Sequence, residues 1–306
     1  MHRDNRATFT LVHPDDWPEE PRPGLVRMAA VQMDPRIGET ARNLEWSLAA
    51  ADMARRERAG LAVYPECGLT GYCFSSFEEA REAGLERDGA ALRRLAEASA
   101  DTGVALVVGY LERTPTGVAN AVSILEGGAI VGHYRKAHLP YLGADRFTEA
   151  GNEPFRVFEA AGLRLGVLIC YDASFPEASR LLALEGADII LLPTNWPQEA
   201  ESKAAWLPNT RAYENVVYFA SVNRTGDERG FRFHGRSRIC DPTGATLVEG
   251  PADREAILLA DVDPARARTK RIVRRDGYWV DRIGQRRDDL YRLTTPRRGG
   301  TEGDEA

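Results

Sequence analysis

The amino-acid sequence predicts an α/β protein built around a mixed sheet. Three observations carry that expectation. Short apolar runs bounded by glycine or proline alternate with longer stretches whose apolar residues recur at helical spacing. Two reversals, around Gly127-Gly128 and Asp241-Pro242-Thr243-Gly244, insert antiparallel hairpins among these alternating units. A chain of 306 residues, 43% of them hydrophobic, can bury one large core, so a single globular domain is expected over residues 25–265.

Residues 1–24 are polar and carry Pro14, Pro18, Pro21 and Pro23, which suits a loose arm or a partner-hugging extension better than a core element. The first strand is expected at 26–33, then a helix at 40–59 in which Leu44, Leu48, Ala51 and Met53 keep near-helical spacing and Gly60 marks the stop. A strand at 61–64 ends in Pro65-Glu66-Cys67-Gly68, a turn that presents Glu66 at the rim of the sheet. A helix near 88–100 leads to a strand at 104–110, and strands at 119–125 and 129–134 form the hairpin around Gly127-Gly128. Lys136 follows that hairpin directly. The next strand, at 163–170, feeds a helix at 175–185 whose start carries Ser174 and Glu177 at capping-box spacing. An apolar strand at 188–192, a helix at 203–215 and a strand at 216–223 follow. A second hairpin (237–240 and 245–248) and a strand at 256–262 complete the domain, and residues 266–306 read as an arginine-rich tail able to form a subunit interface.

Composition excludes several classes of function. The net charge is -6 with both signs mixed along the chain, so no basic field exists to hold a nucleic-acid backbone. No apolar run reaches the roughly 20 residues of a membrane span, and the acidic N-terminus lacks a signal peptide's apolar centre, which together imply a cytoplasmic protein. The four cysteines, Cys67, Cys73, Cys170 and Cys240, lack the spacing of a zinc site or a disulfide framework. The five histidines include no HExxH, so neither a metal nor another cofactor is expected and any chemistry must come from side chains.

Three residues stand where such chemistry needs them. Cys170 ends a strand just before a helix start, where backbone N–H groups favour a thiolate, although a small buried thiol in the core is an equal reading of that position. Glu66 at its turn can accept a thiol proton and return it to a leaving amine. Lys136 can offset the negative charge of a tetrahedral intermediate. Taken singly, each of the two charged residues reads as an ordinary surface charge.

Their order and surrounding text change that balance. Val63-Tyr64-Pro65-Glu66 with Leu69-Thr70-Gly71-Tyr72, Tyr134-Arg135-Lys136-Ala137-His138-Leu139, and Gly166-Val167-Leu168-Ile169-Cys170-Tyr171-Asp172 with Phe175-Pro176-Glu177 succeed one another along the chain. Arg211-Ala212-Tyr213-Glu214-Asn215, Gly235-Arg236-Ser237 and Asp241-Pro242-Thr243-Gly244 follow. Over roughly residues 25–265 this resembles the nitrilase superfamily of carbon–nitrogen hydrolases, in its amidase-like branch. The resemblance implies a four-layer α-β-β-α sandwich that pairs into a homodimer or larger assembly. It further implies that Cys170 attacks, Glu66 relays protons, and Lys136 with the backbone N–H of Tyr171 stabilises the oxyanion. Family members often carry a second acid after the lysine; here Asp145 lies nearest its place, with Glu149 the other candidate. Tyr72, Asn195 and Trp196 are expected near the pocket, although Trp196 beside Pro197 reads equally as a packing residue.

The expected activity is hydrolysis of a small amide through a cysteine thioester. An N-carbamoyl amine or a nitrile is the alternative substrate, acyl transfer to an acceptor other than water the alternative fate of the thioester, and a catalytically silent ligand-binding scaffold the alternative class.

Overall fold

A computed structural model describes residues 9–291. In chain order its first half comprises β1 (Thr10–Val12), β2 (Val26–Gln32), α1 (Thr40–Arg56), β3 (Leu61–Val63), α2 (Phe77–Ala83), α3 (Ala90–Thr102), β4 (Ala105–Arg113), β5 (Val118–Glu126) and β6 (Ala129–Arg135). There follow β7 (Val157–Ala160), β8 (Leu163–Val167), α4 (Pro176–Leu184), β9 (Ile189–Thr194), α5 (Glu201–Asn215), β10 (Tyr218–Asn223), β11 (Thr225–Glu228) and β12 (Phe231–His234). The chain continues through β13 (Arg238–Cys240), β14 (Thr246–Glu249), β15 (Ala256–Val262), α6 (Pro264–Arg268), β16 (Arg271–Arg275) and β17 (Tyr278–Asp281).

The strands form a seven-stranded sheet, β1-β15-β2-β3-β4-β5-β6, and a six-stranded sheet, β14-β13-β10-β9-β8-β7. Strand alternation explains how the first sheet is covered on both faces. Met28, Ala30, Leu61, Val63, Ala105 and Val107 face the second sheet, where they meet Leu165, Val167, Ile189 and Leu191. Their neighbours Ala29, Val31, Ala62, Tyr64, Leu106 and Val108 face the other way, against Trp46, Ala50 and Ala54 of α1 and Leu92 and Leu95 of α3. Helices α4 and α5 close the outer face of the second sheet through Leu182, Ala183, Ala204 and Ala212. The result is the four-layer α-β-β-α sandwich.

Several local expectations change. Part of the proline-rich segment is not a loose arm: Thr10, Leu11 and Val12 pair in parallel with Ala256, Ile257 and Leu258, so β1 is an edge strand. Farther along the same segment, the Trp17 ring lies 3.9 Å from the Arg27 guanidinium carbon. The strand expected to run to Cys170 stops at Val167, and Cys170–Ser174 forms a 3-10 turn. No capping box forms at α4. Ser174 is held inside that turn, and the N-cap falls on Phe175, whose side chain makes no capping bond. Helix α2, strand β7 and the β11–β12 hairpin are further elements that the sequence pattern leaves unmarked. Residues 1–8 and 292–306 of the expected arm and tail lie outside the described residues; within the tail, β16 and β17 pair as a hairpin. Among the described residues, no helix is long and apolar enough to cross a membrane.

Candidate active site

Four chain segments deliver buried polar side chains to one end of the two sheets. Glu66 stands in the turn after β3, where Gly68 N–H donates to Pro65 O at 3.2 Å and Leu69 N–H to Gly109 O at 3.1 Å. Gly109 is required there: a Cβ on it would come within 2.4 Å of Pro65 O and 3.0 Å of Glu66 Cα. Lys136 is the first residue past β6, yet its N–H still donates to Asn120 O at 2.8 Å, so ladder pairing fixes its direction. Asp145 lies in a short 3-10 segment, Gly143–Arg146. Gly143 adopts φ 53 with the Tyr72 ring 2.2 Å from where its Cβ would be, so only glycine lets this segment approach.

These pieces meet in a dense cluster. Lys136 Nζ donates to Glu66 Oε1 at 2.7 Å and to Asp145 Oδ2 at 2.5 Å. Asn120 Nδ2 donates to the same Glu66 oxygen at 2.8 Å and to Asp145 Oδ1 at 2.9 Å. Tyr72 O–H donates to Asp145 Oδ2 at 2.8 Å. Glu66 and Lys136 are both 0% exposed. One oxygen, Glu66 Oε2, is buried without any hydrogen-bond partner.

Charge balance follows from this packing. Burial raises the Glu66 carboxyl, and Asp145 raises it further, against the pull of Lys136 and Asn120. Burial works against the Lys136 ammonium, but Glu66, Asp145 and Cys170 together hold it well above the range of a free lysine. Two carboxylates thus share one buried ammonium.

Cys170 completes the group. It opens its 3-10 turn at φ 44, a left-handed conformation uncommon for a residue with a Cβ. The turn is held in place by Asp172, which accepts from Ile169 N–H at 3.0 Å, Tyr134 O–H at 2.8 Å and His138 N–H at 2.9 Å. From α5, Arg211 Nε and a terminal nitrogen clamp Ala173 O at 3.1 and 3.0 Å. Burial pushes the Cys170 thiol up to about 12, and Glu66 adds to that; Lys136, the Thr194 hydroxyl and the Asn195 N–H oppose it. A thiol held so high forms a thiolate only where a neighbouring group can take its proton.

The remaining candidates divide clearly. Asn195 donates its amide to Glu66 O at 2.9 Å. Tyr171 is half-buried beside the sulfur's turn, its ring edge-on to Phe175 with centroids 5.3 Å apart. Trp196 is buried in the hydrophobic core, and its backbone N–H donates to Asn223 Oδ1 at 2.8 Å. Glu149 does not join the cluster. Its own N–H is bound to Val118 O at 2.8 Å, which turns the carboxylate toward the β4–β5 reversal, where it accepts from Thr114 at 3.0 Å and Thr116 at 2.5 Å.

Asn120, Asp172, Tyr134 and Thr194 touch the cluster or hold the turn of Cys170, and sequence reasoning did not single them out. For Asn120 a signal exists: it is a lone amide among the apolar residues of β5. Among the described residues, no three or more His, Cys, Asp or Glu side chains converge as a metal site would require. Beside the cluster, Tyr72, Leu142, Gly143, Asn195, Phe231 and Phe233 wall a narrow, largely apolar crevice. A cleft of about 260 Å³ shares Leu142, Gly143 and Phe231 with it and adds Arg146 and Arg229.

The structure is a four-layer α-β-β-α sandwich with a buried carboxylate, ammonium and thiol cluster at one end, and the comparisons with known proteins give its family. Residues 27–272 match the carbon-nitrogen hydrolase family, and the chain belongs to it. It is 35% identical over 268 residues to a nitrilase from Pyrococcus abyssi, covering 87% of this chain and 99% of the relative. An N-carbamoylputrescine amidase from Arabidopsis thaliana is 32% identical, with 66% of this chain and 72% of that relative covered. Among solved structures, a variant of the amidase from Nesterenkonia sp. AN1 aligns with TM-score 0.73 and 27% identity over 89% of this chain and 97% of its own. That structure shows covalent addition of the acetamide moiety of fluoroacetamide at its active-site cysteine. The chain is accordingly a hydrolase of the nitrilase superfamily with amidase-like structural neighbours.

Proposed function

We propose that this protein hydrolyses a small amide with Cys170 as nucleophile, Glu66 as proton carrier and Lys136 as the electrophilic partner. The observation that carries the reading is the unpartnered, buried Glu66 Oε2 in a cluster whose other carboxylate oxygens are occupied. Oε2 takes the proton of the Cys170 thiol as the sulfur attacks the carbonyl carbon. The Lys136 ammonium and the Tyr171 N–H, an early donor of the turn with no intrahelical acceptor, stabilise the oxyanion. Protonated Glu66 passes that proton to the leaving nitrogen, ammonia departs, and the acyl group remains on sulfur as a thioester. Glu66 then accepts a proton from water as its oxygen attacks the thioester, and returns it to the sulfur when the acid leaves.

The neighbouring cleft of about 260 Å³, lined by Leu142, Gly143, Phe231, Arg146 and Arg229, has room for a small substrate rather than a large one. Four free, buried thiols suit a cytoplasmic setting, and Leu181 and Leu184 on α4 with Trp206 and Tyr213 on α5 are exposed apolar residues that a homodimer would cover. The test is ammonia release from a panel of short-chain amides, carbamoyl compounds and nitriles. Cys170→Ala is expected to lower turnover by about 10⁴-fold or more with the fold intact. Mass spectrometry of the unmodified enzyme with its substrate should find the acyl adduct on the peptide containing Cys170; an adduct on Cys67 or Cys73 refutes the assignment.

A further inference from the structure

Asn120 is 1% exposed and sits between the two carboxylates, giving one amide hydrogen to Glu66 Oε1 and the other to Asp145 Oδ1 at 2.8 and 2.9 Å. On its far side, the amide oxygen lies 3.6 Å from the Cys67 sulfur. These partners allow a single orientation. Turned over, the amide would present its oxygen to the two carboxylates, which would make both of those contacts repulsive, and the Cys67 thiol would lose its acceptor. Cys67 itself is 0% exposed and sits at φ 50 in the turn that carries Glu66, so the thiol and the carboxylate are set by the same bend of the chain.

The consequence falls on the two oxygens of Glu66. Lys136 and Asn120 both donate to Oε1, while Oε2 is left bare in a buried position. Asp145 shows the opposite pattern, with Asn120 on one oxygen and Lys136 and Tyr72 on the other. Without the Asn120 amide, Glu66 Oε1 would keep its bond from Lys136 but lose its second anchor against rotation of the carboxylate toward that ammonium.

We propose that Asn120 is a positioning residue which, oriented by the Cys67 thiol, anchors Glu66 Oε1 in the cluster and so reserves Oε2 for the proton of the attacking nucleophile. The inference rests on Glu66 as proton carrier and adds two residues through which the chain sets that carrier's geometry. It also has an electrostatic side. The groups that face Glu66 are Lys136, Asp145, Cys67, Tyr72 and Cys170, and the Asn120 N–H is one of the influences that lower the Glu66 carboxyl against the effect of burial.

The test reads the proton carrier without depending on the natural substrate. Alkylation of Cys170 by iodoacetamide is followed against pH by mass spectrometry, beside the pH dependence of kcat/KM on the best amide of the panel. Asn120→Ala is expected to slow both reactions by about 10- to 100-fold, the loss of a charge-assisted hydrogen bond, with KM nearly unchanged. The acidic limb of both profiles should move to higher pH, because Glu66 loses a donor that favours its ionised form. Asn120→Ser, which keeps one donor, should recover part of the rate. Cys67→Ala should give a smaller shift in the same direction and serves as the deciding variant if Asn120→Ala does not fold. Profiles of the variants that superimpose on the unmodified enzyme's, while that enzyme's own Cys170 reacts, overturn the inference. A Cys170 inert in the unmodified enzyme overturns instead the role given to Glu66.

Discussion

Two buried carboxylates, Glu66 in the turn after β3 and Glu112 in the neighbouring β4, are treated in opposite ways. Glu112 in β4 is 3% exposed and surrounded by Arg87, His133 and Arg135, with Arg87 on Oε1 and His133 and Arg135 on Oε2. Burial pushes its carboxyl up, but His133 and Arg135 overcome that and hold it far below the ordinary range. Glu66 has one ammonium, shared with Asp145, and keeps an oxygen without a donor. Every lone pair that Glu112 directs at a neighbour is answered, so it can only be a structural charge. Glu66 keeps a buried oxygen without a hydrogen-bond donor, the feature on which the proposed proton-carrying role rests.

Removing the cation from each cluster separates the two behaviours most sharply. Lys136→Ala leaves Glu66 and Asp145 facing each other with no counter-charge, and a loss of about 3–5 kcal/mol in unfolding free energy is expected together with loss of turnover. The deficit should be smaller at pH 5 than at pH 8, because the Glu66 carboxyl, raised by burial and by Asp145, takes up a proton as the pH falls; chemical denaturation at the two pH values measures it. An equal deficit at both would mean that the carboxylates do not share one charge balance.

Glu112→Gln should do the reverse, costing about 1–3 kcal/mol while leaving kcat and KM within about twofold. The pH window is set by the sign of the shift. Because the folded-state value of Glu112 lies below the ordinary 4.5, its contribution is present above that pH and is lost progressively as acid protonates it. The variant should therefore match the unmodified protein most closely in acid, as thermal melts between pH 3 and pH 7, each value about a unit apart, would read.

The same contrast explains what is legible in the sequence. Glu66, Lys136 and Cys170 each follow a strand end marked by proline, a hairpin or a helix start, and strand ends are where chain direction changes and side chains reach a rim. Asn120 lies inside β5, where an amide among apolar neighbours carries no local mark of the carboxylates that meet it from 54 and 25 residues away. Asp172 is hidden for the same reason, since its partners Tyr134 and His138 come from the other sheet's end. The capping-box spacing of Ser174 and Glu177 misleads because tertiary contacts, Arg211 on Ala173 O above all, impose a 3-10 turn that places Ser174 before the N-cap. Edge strand β1 escapes notice because three residues gain their ladder from β15, 246 positions along the chain, rather than from their own pattern.

The finest cut compares the two acids that follow Lys136. Asp145 accepts from Lys136, Asn120 and Tyr72, so Asp145→Asn would set an amide against the donors of Lys136 and Asn120 and is expected to lower kcat/KM by about 10- to 100-fold. Glu149 accepts only the hydroxyls of Thr114 and Thr116, uncharged donors at a half-exposed turn. Glu149→Gln keeps an acceptor for both hydroxyls, so its expected effect is below about twofold in kcat/KM and about 1 kcal/mol or less in stability. Steady-state kinetics on one amide substrate compares them directly. Equal effects from the two substitutions would mean that the acid's distance from Lys136, rather than a shared bond with it, governs the site.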